Sequence, residues 1–189
     1  MVQLLIGLFI FLGVHSTSIV NEPWRNKVAD RLGTWTWKGI YSLVSLVGLI
    51  MIIRGYGGTR AETIELYFTP TWLQHISLVL MIPVFPLLVG AYLPGRIKAA
   101  VGHPMLLATK LWAAAHLLAN GGLADLVLFG SFLLWVFADL LSVSRRQPRQ
   151  LPVAPESKYN DWIAVAAGLG LYLAFVFYLH EKVAGVAIF

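Results

Sequence analysis

Residues 102 to 122 read GHPMLLATKLWAAAHLLANGG, an apolar run that nonetheless carries His103, Lys110, His116 and Asn120. A polar or charged side chain in hydrocarbon costs a few kcal/mol, so such groups turn toward the bundle interior, pair with one another and mark functional sites. The rest of the chain reads as the housing of this helix.

The 189 residues form a single domain, 1–189, with 58% hydrophobic against 12% charged residues and a mean hydropathy of +0.75. That balance lies outside the soluble globular range and predicts an integral membrane protein in contact with the lipid bilayer. Six apolar segments succeed one another, with limits near 2 to 20, 37 to 54, 71 to 93, 104 to 120, 123 to 143 and 161 to 180. Each approaches the roughly 20 residues that cross the hydrocarbon as a helix. None alternates as a barrel strand does, so the expected fold is all-α, a polytopic six-helix transmembrane bundle. The N-terminal run MVQLLIGLFIFLGVHS lacks a basic leader and a small-residue cleavage site, and is expected to be retained as the first helix.

The chain has no cysteine, so any metal chemistry falls to histidine, carboxylate or methionine. Its net charge of +5 sits in short loops without interleaved solvent-facing aromatics, which excludes nucleic acid as a partner. Arg25, Lys27, Arg31, Lys38, Arg96, Lys98, Arg145, Arg146, Arg149 and Lys158 lie in alternate connections, whereas Arg54, Arg60 and Lys182 lie in the others. The positive-inside rule then places both termini in the periplasm of a bacterium. Trp24, Trp35, Trp37, Trp72 and Trp162 fall at helix ends and read as interfacial anchors, with Trp112 and Trp135 deeper. Pro83 and Pro86 predict a kink in the third segment, and QPRQLPVAPESKYND predicts a cytoplasmic surface loop.

On the fourth segment Trp112, His116 and Asn120 recur every four residues and share a face, with Thr109 and Ala113 as small neighbours, so a flat ligand could lie there. His103 falls roughly opposite, before Pro104 at a first helical position. An intramembrane histidine has two readings, interhelical hydrogen bonding and metal ligation. For His75 and His180, near helix ends, hydrogen bonding is the expectation. His15 on the first helix lies at a depth about 9 Å from that of His116 at 1.5 Å per residue. Lys110 reads as a lysine that snorkels to the interface, or pairs with Asp139 across the next hairpin. Asp125 opens the fifth helix as a cap and stands where it could hold the His116 ring.

LFIFLGVHS, the block WRNKVADRLGTWTWKGIYSLVSLVGLIMIIRGY, GHPMLLATKLWAAAHLLANG and LFGSFLLWVFADL together resemble the NnrU family over most of the chain. The resemblance implies a bacterial inner-membrane protein linked to denitrification and nitric-oxide metabolism. It is more distantly similar to zeta-carotene isomerase, a membrane haem b enzyme, whose histidines match His15 and His116 and whose HP turn matches His103. The cysteine of that enzyme has no counterpart here. The expectation is therefore one haem b between the first and fourth helices, ligated by His116 and His15, with Arg31 and Lys38 meeting its propionates and nitric oxide as a ligand. Its alternatives are haem-dependent cis-to-trans isomerisation of an apolar carotenoid polyene and a haem-free assembly factor.

Overall fold

The computed structural model describes residues 1–60, 62–146 and 153–188, which are mostly helical with no strand among them. In chain order the helices are α1 (Val2–His15), α2 (Thr17–Leu32), α3 (Thr34–Arg60), α4 (Thr71–Met81), α5 (Val84–Gly90), α6 (Arg96–Val101), α7 (Pro104–Ala119), α8 (Leu123–Val143), α9 (Asn160–Ala174) and α10 (His180–Ala184). A π-helical turn, Phe175–Leu179, joins the last two.

Among the described residues four stretches are long and apolar enough to cross a membrane: α3, α4 with α5, α8, and the run from α9 to α10. A fifth is obtained by counting α1 and α2 together, although they meet at 52°. Helix α7 is apolar in the main but only 16 residues long, fewer than the roughly 20 that span hydrocarbon unaided. Six comparable spans were expected, and the first departs most: α1 stops at His15, and the stretch assigned to a connection is the polar helix α2. The cause is local. Asn21 leaves the helical region (φ −153°, ψ 82°), and its Oδ1 accepts from the Trp24 amide at 3.0 Å. It thereby caps a new first turn that tolerates Pro23.

Helix α1 packs on α3 through bare backbone. A Cβ added to Gly7 would stand 2.7 Å from the Ile52 amide nitrogen, and one on Gly48 would stand 2.8 Å from that of Phe11. At Gly55 it would run into the Leu4 backbone. Gly48 and Gly55, seven residues apart, thus share one face, and small residues at such seams let helices approach closely enough to gain dispersion in lipid. Leu4, Leu8 and Ile52 fill the rest of this core with Ala113, Leu128 and Phe129. Val84, Leu87 and Ala108 make a second cluster, so α7 lies between the two.

The proline break falls where the sequence places it. Ile82 bonds back to the Val79 carbonyl, which leaves the Leu78 carbonyl to accept from the Tyr172 hydroxyl at 3.0 Å. Gly168 on α9 lies against the Pro86 backbone, where any side chain would collide. Outward, residues such as Phe9, Leu43, Leu134 and Phe177 are exposed, as lipid contact requires. Trp24, Trp35, Trp72 and Trp162 are exposed too, but Trp37 is buried beneath the Arg25 guanidinium, 5.4 Å above its ring, and is no surface anchor.

Hydrogen bonds close both ends of the bundle. At one end the Met1 ammonium donates to Thr59, Leu66 to the Gly121 carbonyl, Leu123 to that of Ile64, and Arg60 to that of Ala184. At the other, Ala154 donates to the Tyr92 carbonyl, Asn160 to those of Pro94 and Pro155, and Asp161 accepts from the Arg96 and Ile97 amides. Part of the expected surface loop, residues 147–152 with Arg149, lies outside the described residues.

Candidate functional site

Helix α7 begins as GHP dictates. Gly102 (φ 71°) ends α6, His103 is non-helical ahead of proline, and Pro104 takes the first position, where its missing amide costs nothing. His103 is exposed, apart from the other ring systems. Along α7 the expected ladder forms, with Trp112 and His116 ring centroids 5.3 Å apart and the Asn120 amide donating to the His116 carbonyl at 2.9 Å. Asn120 is the C-cap, with extended backbone.

Three histidines share one tether. His15 Nδ1 lies 2.7 Å from the Phe11 carbonyl, His116 Nδ1 2.8 Å from that of Trp112, and His180 Nδ1 2.8 Å from that of Val186. A carbonyl only accepts, so each Nδ1 carries the proton, and in the neutral ring Nε2 is left with its lone pair. This tether is the usual second contact of a metal-binding imidazole.

The rings that meet His15 are Phe11 (4.2 Å), Tyr41 (5.1 Å) and Trp135 (6.0 Å). Those that meet His116 are Phe129, stacked at 4.5 Å, Trp112, and His180 at 6.4 Å with planes 24° apart. The two sets share no member, and Phe11, Phe132 and Trp112 run between them. The imidazole brought to His116 is therefore that of His180, for which the sequence led us to expect hydrogen bonding.

The NnrU protein family matches residues 3–188, nearly the whole chain. This protein belongs to the NnrU family. No curated protein and no solved structure matches it.

Two expectations for this NnrU chain are corrected. Asp125 does not hold His116: its Oδ1 accepts from the Tyr56 hydroxyl of α3 at 2.5 Å and its Oδ2 from the Gly122 amide that opens α8 at 2.9 Å. Asp139 pairs with Arg146 instead of Lys110. Arg146 lies two helical turns beyond it and needs no register shift, whereas the hairpin leaves Lys110 about 9 Å out of step at 1.5 Å per residue. Arg31 is exposed on α2, and Lys38 lies over the Trp35 ring at 5.3 Å.

Tyr56 and Tyr67 are the polar groups that sequence reasoning missed, and the nearness of His180 to His116 is the contact it did not find. Tyr67, on the connection before α4, donates to the Leu117 carbonyl at 2.5 Å and the Asn120 carbonyl at 2.8 Å, locking the end of α7. Desolvation, then the nearby Asp125 carboxylate, push its phenol above the ordinary value. Phenols spaced far from any motif carry no signal of this.

Proposed function

We propose that this NnrU protein is a six-pass bacterial inner-membrane protein that holds one b-type haem at His116 and serves denitrification or nitric-oxide metabolism. The single observation behind the haem is His116 itself: a partly buried imidazole with Nδ1 tied to a carbonyl, Nε2 left as a neutral donor, and aromatic rings about it. The donor set fits haem b, since neutral imidazoles are ordinary axial ligands and need no cysteine. When bound, the iron supplies reversible nitric-oxide binding and one-electron exchange. The chain's own part is to fix the ring. Trp112 sets the tautomer, Phe129 covers its face, and Asn120 with Tyr67 holds the last turn of α7.

Six passes are supported by the hydrogen bonds at the two ends. Met1 and Thr59 meet at one end, Leu66 and Gly121 bring α4 and α7 there, and Ala184 returns to it, so the chain alternates ends between α1, α3, α4–α5, α7, α8 and α9–α10. The short α7 is then shielded by neighbours, which excuses its length.

The test is an absorption spectrum of the detergent-purified protein from haem-replete cells. A Soret band lost in His116→Ala is expected; a colourless wild type would leave the haem-free assembly role in front. Co-expression with an enzyme that makes the cis carotene, with pigment analysis of the cells, separates the isomerase, for which the apolar rings near His116 would line the polyene.

A further inference from the structure

His15 was the expected second ligand, yet the imidazole nearest His116 comes from the far end of the chain, at residue 180. The spacing is informative. Two nitrogen–metal bonds of about 2 Å, added to ring half-widths of about 1 Å, put the centroids of two imidazoles sharing one metal roughly 6 Å apart. The His116 and His180 centroids are 6.4 Å apart with their planes within 24° of parallel, a separation close to that value and too wide for rings in face-to-face contact. Both Nδ1 atoms are occupied by carbonyls, so the lone pairs each ring can offer are on Nε2.

Among the described residues no group of three or more His, Cys, Asp or Glu side chains could hold a metal ion. Two imidazoles cannot complete the four-ligand shell of a bare zinc site. A metal that brings four equatorial nitrogens and leaves two axial positions is matched by a pair.

Two more features converge on the same place. The π-helical turn Phe175–Leu179 ends immediately before His180, and such turns insert a residue that re-aims the side chains beyond it, often at functional sites. The segment whose Val186 carbonyl holds His180 also borders a cleft of about 490 Å³ lined by Gly57, Arg60, Lys182 and Gly185. Arg60 is anchored there by its 3.2 Å bond to the Ala184 carbonyl. Arg60 and Lys182, two cations lining a cleft beside the His180 segment, are suited to carboxylate substituents, by charge-assisted hydrogen bonding.

We propose that His180 is the second axial ligand, paired with His116 on one porphyrin iron, and that Arg60 and Lys182, in place of Arg31 and Lys38, receive the porphyrin's carboxylates. This rests on the haem reading of His116 and assigns its partner residues. The test is hemin titration of the detergent-purified full chain, read by absorption and electron paramagnetic resonance. Wild type gives a low-spin, six-coordinate spectrum. His116→Ala and His180→Ala each weaken haem binding by more than about a hundredfold, beyond what an outer-shell loss costs, and turn the bound haem high-spin. Added imidazole restores the low-spin signal in both, which shows that the variants are folded. His15→Ala keeps the wild-type spectrum, and Arg60→Gln with Lys182→Gln weakens binding without changing spin state. Should His180→Ala stay low-spin while His116→Ala does not, or should His15→Ala turn high-spin, the pairing is overturned and the haem reading survives. A wild type that takes up no haem overturns both.

Discussion

Asp125 shows how one side chain can tie the start of its own helix to a distant one. It is 5% exposed, and its two oxygens are shared between Tyr56 of α3 and the Gly122 amide that opens α8, while Thr63 receives the neighbouring Ala124 amide at 2.9 Å. Removing a buried acceptor strands its donors, at about 1–3 kcal/mol for each group left unsatisfied. We predict that Asp125→Ala lowers stability by about 2 kcal/mol or more, with Asp125→Asn intermediate because one oxygen remains for either donor. Thermal unfolding in detergent checks it, and an Asp125→Ala melt superimposed on wild type would contradict the network. The capping half of this role was legible from the position of Asp125 at a helix start. The Tyr56 half was not, because a contact between residues 69 positions apart depends on how α3 and α8 cross.

Among the elements, the α1–α3 pair and the end of α9 teach opposite lessons about periodicity. Gly7, Gly48 and Gly55 are visible in the sequence, but Gly39 and Gly57 are equally visible and have open space where a Cβ would stand, so a single chain does not say which glycines meet a partner. We predict that Gly48→Leu destabilises the protein by at least the roughly 1–3 kcal/mol typical of overpacking, since Phe11 backbone blocks the new side chain, whereas Gly39→Ala does not. Thermal melts of the two variants decide; equal melting temperatures would mean that the seam is not held by close approach. His180 was hidden for another reason. Projecting a helix at 3.6 residues per turn through residues 175–179 misplaces everything beyond a π-helical turn, and no residue type in FVFYL announces one. His116, on a regular helix with Trp112 and Asn120, projected correctly.

At the scale of the whole molecule, the apolar segments, the Pro83 break and the all-helical class were legible in composition and periodicity, while the bend after His15 was not, because Asn21 diverts the chain within a stretch that hydropathy averages over. The ends of the chain nevertheless come together. The Met1 ammonium bonds Thr59 at 2.6 Å, and Arg60, the next residue, bonds the Ala184 carbonyl, so both termini lie at the same end of the bundle. The cationic connections are at the other end, with Arg25, Lys27, Arg31, Lys38, Arg96, Lys98, Arg145, Arg146 and Lys158 among the described residues, against Arg54, Arg60 and Lys182 at the terminal end. Because basic residues in short loops are retained in the cytoplasm, we predict that the shared end faces outward. We predict that alkaline phosphatase joined to the C-terminus is active and that green fluorescent protein at the same point is dark, with the reverse pattern for fusions truncated in the connection after α8. A fluorescent C-terminal fusion would invert the bundle, and would put the Arg60 and Lys182 cleft on the cytoplasmic face.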